Sequence, residues 1–216
     1  IKFNDENILI DTSPDLRSQL IINKIKSISK VFYTHLHGDQ THGINDLRPF
    51  FLKNKKKLPV YANLETAKYL YSTFKYCFTS KNQYPSTLLL KTLQKVHIFK
   101  NKKHKLLIKN IPVRHGRINS VCYLINNKLA YASDVDLIYN KDLKTLSKLN
   151  YLVIDCLRYT KHPSHFNLDQ VLKLVTTLKP KKTILTNMHI DLDYKKLKRI
   201  LPKNIVPGFD GMEITL

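Results

Sequence analysis

Short runs of β-branched and aromatic residues alternate along this chain with stretches whose apolar positions recur every three or four residues. NILID (7–11) reads as a strand. TSPDLRSQLI (12–21) follows as a helix, with Thr12 or Ser13 as its cap, Pro14 in the first turn and Asp15 facing the positive end of the dipole. KVFYT (30–34) is the next strand, INDLRPFF (44–51) a short helix, LPVYA (58–62) a strand, and LETAKYLYSTFKYCF (64–78) a helix. SVCYLINNKLAYASD (120–134) predicts a hairpin that turns at Asn126–Asn127. The strand YLVIDCL (151–157), the helix NLDQVLKLVTTL (167–178) capped by Asn167, the strand KTILTNM (182–188) and the helix LDYKKLKRIL (192–201) complete the pattern. Hairpins mixed with strand–helix units predict an α/β fold of two β-sheets with helices outside.

At 216 residues the chain fits one domain spanning 1–216, with no repeat or linker to divide it. Its longest apolar runs are strand-length, which predicts a soluble, cytoplasmic protein that does not enter a membrane. Cys77, Cys122 and Cys156 are odd in number and form no CxxC pair, so buried thiols are expected rather than disulfides or a zinc ribbon.

The formal charge of +21 invites a nucleic-acid partner. Only six of the 37 basic residues are arginine (Arg17, Arg48, Arg114, Arg117, Arg158, Arg199). Phosphate readers prefer the bidentate guanidinium, so a scattered, solvated lysine surface is favoured over a nucleic-acid partner. KNKKKLP (53–59) could guide any anionic substrate.

The candidate chemistry gathers where predicted strands run out. In VFYTHLHGDQTHGINDLR (31–48), His35, His37 and Asp39 occupy alternate positions after an apolar run. His115 follows IPVR, Asp134 follows LAYAS, and His189 follows ILTNM. Imidazole and carboxylate are ligands for divalent ions, and alternation lets two histidines of an extended segment point the same way. One or two divalent ions, zinc or manganese, are the expected cofactors.

THLHGDQTHG resembles the His-x-His-x-Asp-His motif of the metallo-β-lactamase fold, and the later HG, SD and LTNMH stand in the order in which that superfamily supplies its other ligands. LIDTSPDLR, GDQTHGINDLR, VRHGRI, HPSHFNLDQ and LTNMHIDLDY together resemble the branch grouped with phosphoribosyl 1,2-cyclic phosphate phosphodiesterase. The resemblance implies a four-layer αβ/βα sandwich of two mixed sheets. It also implies a first strand and a Gly-rich turn ahead of Ile1, so an N-terminal truncation is expected.

Carried over residue by residue, the resemblance makes His35, His37 and His115 ligands of a first ion, Asp134 a bridge and Asp39 a ligand of a second ion that also serves catalysis. Gln40 and Asn187 stand where relatives have histidine, so the second ion is absent, loosely held, or served by His189. His42 is left between ligand, substrate contact and solvent. His165, in HPSHFNLDQ, matches a histidine with which superfamily phosphodiesterases protonate the leaving oxygen, and His162 is a weaker candidate for that role. Arg48, Arg114, Arg117 and Arg158 flank the motifs as phosphate clamps or structural ion pairs.

The function expected is metal-dependent hydrolysis of a phosphodiester in a small phosphorylated substrate, such as phosphoribosyl 1,2-cyclic phosphate. RNA 3′-processing of the tRNase Z kind and a nucleotide-binding module with a decayed metal centre are the alternatives. A homodimer is compatible with the sequence.

Overall fold

The structure, a computed structural model, describes residues 1–100 and 104–216. The chain forms two compact units, Ile1–Leu93 and Gln94–Leu216. Each is built on one mixed sheet.

The first unit holds β1 (Lys2–Phe3), β2 (Glu6–Ile10), α1 (Leu16–Ile22), β3 (Lys30–Phe32), α2 (Gly38–Thr41), a 3-10 turn (Ile44–Leu47), α3 (Arg48–Asn54), β4 (Leu58–Ala62), α4 (Leu64–Thr73), α5 (Lys75–Phe78) and β5 (Leu88–Thr92). Its strands lie in the order β1-β2-β3-β4-β5; β1 is antiparallel to β2 and the rest are parallel. Val31, Val60, Ala62 and Leu88 of the sheet pack with Leu16, Leu47, Phe50 and Leu70 of the helical segments in one buried cluster. Parallel strands make β2 and β3 run out on the same edge, which carries Asp11 and His35.

Two local expectations change here. Thr12 and Ser13 do not cap α1: the N-cap is Asp15, without a side-chain bond. The Thr12 hydroxyl is instead buried, 2.7 Å from the Tyr33 hydroxyl and donating to the Thr41 carbonyl at 3.1 Å. The helix expected over 64–78 breaks at Phe74, whose ring is buried edge-on against His42 and Tyr69.

The second unit holds β6 (Val96–Lys100), β7 (Lys105–His115), β8 (Ile118–Ile125), β9 (Leu129–Ala132), α6 (Asn140–Leu143), β10 (Tyr151–Asp155), α7 (Leu168–Leu178), β11 (Lys182–Thr186), α8 (Tyr194–Ile200) and β12 (Ile205–Pro207). The sheet runs β12-β11-β10-β9-β8-β7-β6. β6 to β9 form antiparallel hairpins, whereas β9 to β12 are parallel.

The β8–β9 hairpin turns at Asn126 and Asn127 as expected, both with positive φ (51° and 54°), the conformation that a tight primed turn demands and asparagine tolerates. α7 buries Leu168, Val171, Val175 and Leu178 on one stripe. Asn167 and Gln170 begin it with a reciprocal capping box, and Lys179 ends it in the left-handed region. No helix among the described residues is long and apolar enough to cross a membrane.

Candidate metal centre

In the first unit the chain leaves β3 extended, so His35 and His37 project from alternate positions and their rings meet edge to face at 4.7 Å. His35 is buried, and His37 and Asp39 are exposed. The Asp11 carboxylate accepts from the Thr34 amide at 2.7 Å and the Thr34 hydroxyl at 2.8 Å. With its hydrogen committed to Asp11, the Thr34 oxygen accepts from His35 Nδ1 at 3.0 Å. That relay puts the imidazole lone pair on Nε2 and fixes the ring, as a metal ligand requires.

Gly43 lets the turn close. The Thr12 and Gly43 amides donate across it, to the Gln40 and Thr12 carbonyls, and a Cβ on Gly43 would lie 1.9 Å from the Ser13 carbonyl oxygen. His42 turns toward α4: its Nε2 stands 3.0 Å from the Tyr69 hydroxyl. It is not in the described metal-ligating clusters.

In the second unit His115 ends β7, Asp134 lies two residues past β9, and His165 precedes α7. Their ligand atoms lie within 4.8 Å of one another. His115 Nδ1 donates to the Ser164 carbonyl at 2.6 Å, which a carbonyl can only accept, so Nε2 carries the lone pair. That Nε2 stands 4.0 Å from Asp134 Oδ1, too far for a hydrogen bond and near the roughly 3.4 Å that separates two ligands in a tetrahedral shell with bonds of about 2.1 Å. Two nearly buried groups, one imidazole and one carboxylate, suit a borderline divalent ion.

Asp155, at the end of β10, belongs to this cluster and was not among the residues singled out from the sequence. Its Oδ2 accepts from His165 Nδ1 at 2.7 Å and from the Val135 amide at 3.0 Å. Burial pushes its carboxyl up to about 6, against the pull of the His165 bond. Its folded value exceeds the unfolded one, so its contribution to stability is lost as pH rises from 3.8 to about 6. The signal was a lone aspartate closing an apolar strand, which nothing nearby in sequence marks as paired.

The two amides do not behave as the ligands they replace. Gln40 Nε2 donates to Asp39 Oδ2 at 2.9 Å, and Asn187 Nδ2 donates to Asp134 Oδ1 at 3.2 Å. Asn187 sits in the left-handed region (φ 57°), which asparagine adopts more readily than most residues. His189 is exposed and paired with Asp191 at 3.1 Å; it is not in the described metal-ligating clusters.

Of the arginines, Arg114 pairs with Asp136, Arg158 donates to the Thr160 and Lys161 carbonyls, and Arg48 lies over the Tyr84 ring. The start of α7 is occupied by its own capping box, so the helix terminus is not an open phosphate cradle.

Residues 6–190 match the family described as the beta-lactamase superfamily domain. The chain belongs to the beta-lactamase superfamily. It has the metallo-β-lactamase fold of the PhnP-like branch of hydrolases, a fold that implies divalent metal ions, and its clustered histidines and aspartate suit them. A crystal structure of a new diphosphatase from the PhnP family is 30% identical, with a TM-score of 0.87, covering 98% of this chain and 80% of that one. The short form of human tRNase Z shares the fold at 16% identity and a TM-score of 0.72, over 100% of this chain and 90% of that one. The octanoyltransferase of Porphyromonas gingivalis is 32% identical over 211 residues, or 96% of this chain. The chain spans only 42% of that protein's length.

Proposed function

We propose that this chain is a metal-dependent phosphodiesterase acting on a small cyclic phosphate of the phosphoribosyl type. The carrying observation is the Asp155–His165 pair beside His115 and Asp134. A sugar alkoxide is a poor leaving group and needs a proton as the P–O bond breaks. His165, with Nδ1 held by a buried carboxylate, is built to present Nε2–H as that donor. When bound, a divalent ion acidifies the attacking water and neutralises charge on the phosphoryl oxygens.

His35, His37, His115 and Asp134 would hold the ion, following the order of the family's motifs along the chain. Gln40 and Asn187 bring an amide NH2 to the two carboxylates expected to serve a second ion, and so satisfy by hydrogen bonds what a second cation would satisfy by charge. One tightly held ion per chain is therefore expected by elemental analysis after exhaustive dialysis. The Gln40→His, Asn187→His double variant should retain close to two. Two tight ions in the unaltered protein would sink the single-ion reading.

The diphosphatase structure at 30% identity supports a second reading, cleavage of a P–O–P bond. Assays on a cyclic phosphodiester and on a nucleoside diphosphate separate the two. The lysine-rich surface bears on an RNA substrate, for which the log–log salt slope of affinity should reach several units. A slope near that for one or two phosphates is expected here.

A further inference from the structure

Ser164 stands between two histidines and sets them to opposite tautomers. Its carbonyl accepts from His115 Nδ1 at 2.6 Å, which leaves Nε2 of that ring basic. Its amide and hydroxyl both point to His162 Nδ1, at 3.3 and 3.2 Å. A backbone amide can only donate, so His162 Nδ1 is the acceptor and its hydrogen sits on Nε2. Ser164 is packed so closely on the β7–β8 turn that a Cβ on Gly116 would come within 2.8 Å of its own Cβ. One ring is thereby set to face a cation and the other to donate to an acceptor.

The His162 donor is also fixed in place. The Arg158 guanidinium holds the Thr160 and Lys161 carbonyls, and the Asn167 amide group holds the Tyr159 carbonyl at 3.0 Å. The Leu157 amide closes the loop onto the Phe166 carbonyl at 2.9 Å. His162 and His165 therefore keep a fixed spacing, their rings 5.0 Å apart. The His162 ring is only half-buried, and no described hydrogen bond uses its Nε2.

We propose that His162 is a phosphoryl-binding residue, whose Nε2–H donates to a non-bridging oxygen of the substrate phosphate while His165 serves the leaving oxygen. This rests on the phosphodiesterase reading. Division of labour follows from the tautomers: His165 is held through Nδ1–H by a carboxylate that stabilises its protonated form, whereas His162 is held through an Nδ1 lone pair and needs no charge to donate.

The experiment compares the metal-loaded protein with its His162→Ala and His162→Gln variants. Two measurements are made: kcat and KM on a cyclic phosphodiester, and the Kd for inorganic phosphate by calorimetry. A hydrogen bond to a charged phosphate oxygen predicts a KM and a phosphate Kd raised roughly 10- to 100-fold in His162→Ala, with kcat changed less than about threefold. Glutamine, which can offer an N–H near the position of Nε2, should recover most of both. A fall in kcat with KM and phosphate Kd unchanged would overturn the proposal, because it would mean that His162 acts only by packing on His165. A glutamine variant as poor as alanine in a folded protein would also overturn it. If the unaltered protein cleaves no phosphoester, the function reading fails separately; phosphate affinity that still depends on His162 then supports the anion site, and affinity that does not removes it.

Discussion

Replacing His37 by alanine, or Asp134 by asparagine, is expected to abolish hydrolysis and strip the tight ion together. His37→Ala deletes an imidazole that projects beside buried His35 at the end of β3. Asp134→Asn removes the negative charge opposite His115 Nε2 and leaves an amide facing the Asn187 amide. Without the ion, water keeps a pKa of roughly 16 rather than about 7, so the loss in rate should exceed about three orders of magnitude. Elemental analysis beside the activity assay checks the pairing of the two losses. Undiminished turnover in both variants would falsify the metallohydrolase reading.

His165→Ala should divide substrates by their leaving group. A ribosyl or other alkyl alkoxide leaves only with a proton, so its hydrolysis should fall by about 10²- to 10⁴-fold; a 4-nitrophenyl ester, whose phenolate departs unaided, should fall far less. Asp155→Asn should reproduce part of this pattern, since an amide can hold the ring but does not stabilise its charge. The dyad also shapes the alkaline limb of the pH profile: above about 6 Asp155 is ionised and helps His165 keep its proton, so Asp155→Asn should bring the alkaline loss of rate on the alkyl substrate to lower pH. Equal losses on both leaving groups would remove His165 from the acid role and with it the main support for a phosphodiester over a P–O–P substrate.

The amides at positions 40 and 187 occupy positions where the family pattern has histidine. By pattern they are departures from histidine and leave the second ion open. By contact they are donors to Asp39 and Asp134, which gives each carboxylate a neutral partner. His189, a strand-end histidine two residues on, pairs with Asp191 in an exposed turn instead.

What the sequence determined alone is what depends on a few consecutive residues. Asn126–Asn127 forces the β8–β9 turn through φ preference, Asn167 and Gln170 start α7 by bonding one another's amides, and alternation in HLHGD sets the spacing of its ligands. These interactions are worth nearly the same wherever the segment lies. Tertiary structure decided which polar groups meet. Asp155 reaches His165 because β10 ends beside the loop that enters α7, Ser164 reaches His115 across 49 positions, and Thr12 leaves a helix cap for Tyr33 and Thr41. A buried polar group must find a partner or lose on the order of 1–3 kcal/mol, and strand order, rather than adjacency along the chain, determines which partner is within reach.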